Sequence, residues 1–234
     1  MSNLSIVLCT YNEASNINQA LTKLVNKNSI KEIIIIDDNS TDGTADIIKS
    51  LNNNKIRLFV RKNTKGFASA FIFGIIVSQG DYILRFDVDM FDEIDFFLDS
   101  FEKHKDRDCV IFSRYVVNGD DLRSHYRKLP SLILNKTCQY LLSSKIKDYT
   151  SCIMFFKRNL LSDIFPQNSY YANFIIEFVF SLIIKKKNYL EVGFVQKMIT
   201  EQNSKSAPNK LKFFKNGFFY LITILKCVLL KIKN

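Results

Sequence analysis

Tryptophan is absent from this chain, and its 234 residues include only seven glycines, three prolines and two histidines. So little Gly and Pro leaves no room for long linkers, and the length suits one domain of ordinary core size, or a domain with an appendage. Five cysteines (Cys9, Cys109, Cys138, Cys152 and Cys227) form no Cys-x-x-Cys pair. An odd, scattered set argues against a zinc site or a disulfide framework and points to a reducing cytoplasm. Neither His104 nor His125 sits in a recognisable catalytic motif. No Gly-x-Gly-x-x-Gly follows the first apolar run and no Gly-Lys-Ser/Thr loop occurs, so neither common phosphate-cradling loop is present. The chain enters an apolar run within four residues, which reads as the lack of a secretory signal. Acidic residues are missing after Glu201, whereas Lys205, Lys210, Lys212, Lys215, Lys226, Lys231 and Lys233 follow. With a net charge of +10, that basic tail calls for an anionic partner, either nucleic acid or a membrane surface.

Apolar runs at 4–9, 33–36, 56–60, 82–86 and 109–112 read as buried strands. Between them lie helical patterns: Ile17, Leu21, Leu24 and Val25 with Ser15 or Asn16 as cap, then 45–51, 66–78 and 94–101. Strand alternating with helix over the first 115 residues predicts an α/β fold with a doubly wound, mostly parallel sheet. Ligands of such sheets bind beyond the carboxyl ends of the strands. The polar clusters sit there: Thr10-Tyr11-Asn12-Glu13, Asp37-Asp38-Asn39-Ser40, Asp87-Val88-Asp89 and Ser113-Arg114. Asp87 and Asp89 end a buried strand one residue apart and can converge on one hard cation, Mg²⁺ or Mn²⁺, which keeps positions open for substrate phosphates. Alone, the pair is equally an Asp-rich turn. Four polar clusters along one edge are hard to explain as unrelated turns.

The second half is less regular. A helix is expected over 131–142, a strand over 153–156, an apolar helix over 174–184 and a strand over 189–195. Glu177, inside the apolar helix, is either a paired carboxylate at the rim of a core or a site group. The tail from 210 onward reads as one helix, with Lys212, Lys215, Asn216, Thr223, Lys226 and Lys233 in a single stripe. Its uncharged run, 216–225, falls short of the roughly 20 residues that span a bilayer. Such a helix either lies in a membrane interface or docks on the domain with its lysines solvated. The aliphatic character of the tail and the lack of an RNP or zinc-finger pattern count against nucleic acid. The expected division is a domain over 1–208 and a basic amphipathic, membrane-associating helix over 209–234.

Taken together, these clusters resemble the family 2 glycosyltransferases of GT-A fold, with the nearest likeness to the dolichyl- or polyprenyl-phosphate sugar synthases. The matching pieces are Thr10-Tyr11-Asn12-Glu13-Ala14, Asp37-Asp38-Asn39-Ser40-Thr41-Asp42-Gly43-Thr44 and Gly66-Phe67-Ala68-Ser69-Ala70-Phe71. They continue with Gly80-Asp81-Tyr82, Asp87-Val88-Asp89, Ser113-Arg114-Tyr115, Arg127 with Ser131 and Asn135, and Asp148-Tyr149-Thr150-Ser151. The resemblance implies an inverting hexosyltransferase that uses Mg²⁺ or Mn²⁺ and a nucleotide-sugar donor. It implies that Thr10, Tyr11, Glu13 and Asp38 bind the nucleotide sugar. Asp87 and Asp89 would hold the metal and diphosphate, with Val88 alongside. Arg114 and Arg127 would contact phosphate groups and, with Asp89, form the catalytic set. Departures are Ile199 and Gln202-Asn203-Ser204-Lys205 where the family has an Arg followed by Gly-x-Ser-Lys, and Cys152 in place of a glycine.

The acceptor expected from this reading is a lipid-linked one, a polyprenyl phosphate, met on the cytoplasmic face of a membrane by a peripherally bound enzyme. A phosphate acceptor is already ionised, whereas a sugar hydroxyl needs a general base. Arg123, Arg127 and Lys128 cluster where the resemblance places the acceptor side, which would make it basic. The alternative is a hydroxyl of a growing polysaccharide or lipid-linked oligosaccharide, with Asp148 or Glu177 as candidate base.

Overall fold

Runs of β-branched residues with little polar interruption make strands that are buried on both faces, the condition of a parallel sheet covered by helices. The computed structural model describes residues 3–164, 172–197 and 210–233, with side chains over 217–232 in the last segment. In chain order its elements are β1 (Leu4–Thr10), α1 (Ala14–Val25), β2 (Ile30–Asp37), α2 (Thr44–Ser50), β3 (Ile56–Val60), α3 (Phe67–Val77), β4 (Tyr82–Arg85), a short 3-10 helix (Val88–Glu93) and α4 (Ile94–His104). There follow β5 (Cys109–Ser113), β6 (Asp120–Asp121), α5 (His125–Leu141), β7 (Met154–Lys157), α6 (Leu160–Asp163), α7 (Phe174–Ile184), β8 (Tyr189–Gly193), β9 (Val195–Gln196) and α8 (Lys210–Lys233). The chain divides into two compact units, Met1–Cys109 with Ile153–Leu161, and Val110–Cys152 with Ser162–Asn234.

In the first unit the strand order is β3-β2-β1-β4-β7. The pairs β1–β2, β2–β3 and β1–β4 are parallel, and β7 closes on β4 in the antiparallel sense. This is the expected doubly wound, mostly parallel α/β arrangement. Ile33, Ile34, Ile35 and Ile36 of β2 are wholly buried. Four such side chains contribute roughly 6–12 kcal/mol of transfer free energy before chain entropy is subtracted. They point alternately to the two faces of the sheet. Helix α1 packs on β2 and buries Ile17, Ala20, Leu21 and Leu24, and α3 packs on β2 too, with Gly74 beside Ile36. Helix α3 crosses β1 at Gly74, where a Cβ would lie 2.4 Å from Val7 Cγ1, so a larger residue would push helix and sheet apart. The start of α1 differs from expectation. Its cap is not Ser15 or Asn16. Helix α1 begins at Ala14, whose N–H donates to Asp42 Oδ2 at 3.0 Å, while the Glu13 N–H donates to Thr44 Oγ1 at 2.8 Å. A distant turn satisfies the orphan donors of the first turn.

In the second unit β5 lies beside β8, and β6 and β9 form a small parallel pair. Helix α7 buries Phe174, Ile175, Ile176, Phe178, Val179, Phe180 and Leu182. Burial all round makes it a core helix. Helix α5 begins at His125 and not near Ser131, and carries Pro130 inside it. Proline near a helix start forfeits a single ladder bond, and the N–H groups of Arg127 and Lys128 both reach the Ser124 carbonyl at 2.9 Å. Helix α8 packs on α7 and α5. Its Ile224 and Cys227 are buried, and Asn173 Nδ2 donates to Thr223 Oγ1 at 2.8 Å. Thr223, a member of the basic stripe expected from sequence, therefore faces inward. The opposite side exposes Phe218, Leu221, Leu225, Leu229 and Ile232. Among the described residues no helix is long and apolar enough to cross a membrane.

Candidate functional site

Parallel registry brings the ends of β1 and β2 level, with Thr10 opposite Asp37. Thr10 Oγ1 donates to Asp37 Oδ1 at 2.8 Å, and the Ser40 N–H donates to Asp37 Oδ2 at 2.8 Å. The Asn12 N–H reaches Ser40 Oγ at 2.8 Å. Asp37, wholly buried, is thus a bracket that ties two loops together and not a free ligand. Asp38 follows it. Its N–H donates to the Thr10 carbonyl at 3.0 Å, and its carboxylate accepts Arg61 Nε at 2.7 Å and the Gly66 N–H at 2.8 Å. Neither Arg61 nor Lys65 belongs to the motifs, yet both reach motif residues. Lys65 Nζ stands 4.8 Å from the ring centroid of the exposed Tyr11, a cation–π contact on the face of the expected nucleoside residue.

Strand β4 ends at Arg85, and the chain turns into the 3-10 helix at Val88. Val88 is buried, while Asp89 is exposed and Asp87 is half-buried. Crowding by protein atoms, then repulsion from Asp87 and Glu13, push the Asp89 carboxyl up to about 7. Since Asp89 keeps open access to solvent, the repulsion is the part that carries weight: three carboxylates from two strand ends face one space. Thr10, Tyr11, Glu13, Asp38, Asp87, Val88 and Asp89 all sit at the carboxyl edge of β1, β2 and β4. Among the described residues no three of His, Cys, Asp and Glu close tightly enough to enclose a metal ion by themselves. A hard cation that takes one or two carboxylates and fills its remaining positions with water and phosphate oxygens fits this donor set.

Arg114 and Arg127 belong to the second unit. Arg114 is buried and its guanidinium grips Asp148, with Nε to Oδ2 at 2.8 Å and Nη2 to Oδ1 at 2.7 Å. Nη2 also donates to Thr150 Oγ1 at 2.7 Å, and Nη1 stands 3.6 Å from Asp121 Oδ2. Burial alone would raise the Asp148 carboxyl, but the charge and hydrogen bonds of Arg114 outweigh it and hold Asp148 below the usual range. The fork of Arg114 is therefore spent on a buried bidentate pair, a departure from its expected place on a substrate phosphate. Asn135, also in the motif set, is wholly buried and bonds Thr150 and the Tyr149 N–H. Arg127 is different. It is half-buried in the first turn of α5 and has no ion-pair partner among the described residues. The Ser124 hydroxyl beside it is buried without a partner among them. Glu177 is half-buried on α7 and acts electrostatically on Cys227 of α8. Positions 199 and 202–205 lie outside the described residues.

The glycosyl transferase family 2 model matches residues 5–165. The chain belongs to that family. It is 31% identical over 185 residues to a dolichyl-phosphate beta-glucosyltransferase of Dictyostelium discoideum, a match covering 70% of this chain and 56% of the relative. A dolichol-phosphate mannosyltransferase of Saccharomyces cerevisiae matches at 31% over 93 residues, 37% of this chain and 35% of the relative. The chain thus spans a third to a half of the length of these curated relatives. Among solved structures, glucosyl-3-phosphoglycerate synthase from Mycobacterium tuberculosis in complex with UDP aligns with a TM-score of 0.69 at 14% identity, covering 96% of this chain and 79% of that chain. At that identity the likeness establishes the fold, of GT-A type. The same synthase has been crystallised with Mn²⁺, UDP and phosphoglyceric acid.

Proposed function

We propose that this protein transfers a sugar from a nucleoside diphosphate sugar to a polyprenyl phosphate. The observation that carries the donor half is the set of mutually repelling carboxylates Glu13, Asp87 and Asp89 at the edge of a parallel sheet. A cation bound there would relieve that repulsion, and Mn²⁺ accompanies UDP in the synthase of similar fold. A divalent ion bound there supplies positive charge to the departing diphosphate. Asp87 and Asp89 hold that charge in place from a rigid strand end. Tyr11 and Asp38 meet the nucleoside, with Lys65 and Arg61 fixing their positions. The bond between the anomeric carbon and the donor phosphate oxygen breaks, its electron pair leaves with the nucleoside diphosphate, and a lipid phosphate oxygen forms the new bond from the opposite face.

The acceptor half is supported by likeness to the two dolichyl-type transferases and by the shortage of a base. Asp148, one candidate, has both oxygens engaged by Arg114 and is wholly buried. Arg127 in the first turn of α5, with no ion-pair partner among the described residues, suits an anionic acceptor, since helix N-termini attract phosphate. The exposed apolar side of α8, with Lys226 and Lys231 also exposed, and Tyr126, Leu129, Ile133 and Tyr140 exposed on acid-free α5, favours peripheral docking on an anionic membrane. The test supplies donor sugar nucleotides and Mn²⁺ with either undecaprenyl phosphate or a polyprenyl diphosphate-linked sugar. Glycolipid from the phosphate, lost in Arg127→Ala, is the expected result. Extension of the glycosylated lipid alone, abolished by Glu177→Gln, would replace this reading with the hydroxyl acceptor.

A further inference from the structure

Strand β4 carries a charge where a core strand has no use for one. Leu84 and Phe86 are buried on either side of Arg85, and Arg85 itself is 3% exposed. Its sheet neighbours are Val7 on β1 and Met154 on β7, both apolar. Desolvating a guanidinium costs several kcal/mol unless it is paired. Arg85 is paired: Nη2 forms an ion pair with Asp87, whose side chain is 46% exposed. Two residues apart on an extended chain, the two side chains project to the same face. The guanidinium carbon stands 4.5 Å from the ring centroid of Phe67, which opens α3 and fixes the plane of the fork. Apolar packing thus presses a buried cation up against one oxygen of Asp87. Its field also reaches Asp89, where it opposes the repulsion from Asp87 and Glu13.

We infer that Arg85 is a positioning residue that aims Asp87 into the donor site and weakens the site's hold on a divalent cation, so that the cation binds together with the donor diphosphate and poorly before it. The inference rests on the metal and donor site proposed above. Without Arg85 the carboxylates would attract Mn²⁺ or Mg²⁺ more strongly whether or not nucleotide were present. With Arg85 the local negative charge is smaller by one and one Asp87 oxygen is already engaged. A diphosphate then restores negative charge and supplies the missing oxygen ligands. Arg85 touches neither sugar nor acceptor in this scheme. It acts through Asp87.

The experiment is Mn²⁺ binding by electron paramagnetic resonance of the free ion, with and without UDP, on the full chain. In the native protein UDP should tighten Mn²⁺ binding about tenfold or more. Arg85→Met, which keeps the aliphatic stem on Phe67, should bind Mn²⁺ alone about tenfold more tightly and lose most of that coupling, because one positive charge has left a partly desolvated cluster. Arg85→Lys, which restores the charge, should return to within about threefold of the native affinity. A merely structural arginine would give weaker or unchanged binding in Arg85→Met, and that result overturns the inference. If Arg85→Met does not fold, the native protein decides: equal Mn²⁺ affinity with and without UDP sinks the idea. Absence of any Mn²⁺ binding in native protein and variants alike would instead remove the donor site itself, and this inference with it.

Discussion

Asp87 with Asp89 and Asp148 with Arg114 are two acidic centres treated in opposite ways. The first pair stands at a strand end, open to solvent, beside Glu13, and the mutual repulsion raises Asp89 to about 7. Asp148 is wholly buried, both oxygens are bonded, and its carboxyl is held below the usual range. Carboxylates that stay open to solvent and repel one another, even with Arg85 paired to Asp87, are available to a ligand, and one whose charge is met on both oxygens inside the core serves the fold. Both centres belong to motifs that define the family resemblance, so motif membership alone does not separate function from architecture.

The contrast can be broken by mutation, most severely at the buried pair. Removing one partner of a buried ion pair costs about 3–5 kcal/mol, so Arg114→Met or Asp148→Asn should lower the thermal midpoint sharply. Arg114→Met with Asp148→Leu should recover much of the loss. A midpoint unchanged in both single variants, followed by circular dichroism, would mean that Arg114 is not structural. Next comes Asp89→Ala, and with it Asp87→Ala. Each should reduce transfer about 10²–10³-fold or more, a loss comparable to removing a preorganised charge from a transition state. Asp89→Ala should keep its fold, whereas Asp87→Ala should also lower the thermal midpoint, because it takes the ion-pair partner from buried Arg85. Full activity in both variants at saturating Mn²⁺ would dismiss the metal assignment.

Smaller effects sharpen the picture. Lys226→Glu and Lys231→Glu should each weaken binding to anionic vesicles by about 1 kcal/mol or more, most visibly at low salt. Sedimentation with vesicles measures this, and unaltered partitioning would leave α8 a docking helix only. The smallest effect is on pH-dependent stability. A carboxyl raised above its unfolded value of 3.8 carries no penalty below that pH, acquires one as pH climbs toward about 7, and keeps it above. Asp89→Asn should therefore raise the metal-free thermal midpoint at pH 8 and leave it unchanged at pH 3.5. Asp89 is exposed, so screening limits the gain to about 1 kcal/mol or less, a few degrees at most.

The sequence was most informative where structure is local. Strand β3 and helix α7 fall at 56–60 and 174–184 as periodicity and composition indicate, because an unbroken apolar run has few alternatives. What escaped was set by distant partners. The cap of α1 is a turn 28 residues further on, and the partner of Arg114 lies 34 residues away. Helical arithmetic puts Thr223 in the basic stripe, since nothing in the tail reveals that Asn173 donates to its hydroxyl. Pro130 hid the first turns of α5 because proline reads as a boundary. Of the donor site, Asp87 and Asp89 stand out as a pair, whereas Arg85 passes as one letter in a hydrophobic strand, and Arg61 and Lys65 gain meaning only from the side chains they face.

The most direct test of the account is calorimetric titration of the native protein and Asp89→Asn with a panel of nucleoside diphosphates, in Mn²⁺ and in chelator. Native protein should bind one of them in Mn²⁺ and lose about tenfold or more in affinity without it, and Asp89→Asn should bind weakly under both conditions. Equal, cation-independent binding by the native protein and Asp89→Asn would contradict the claim that these strand-end carboxylates hold the donor through a metal ion.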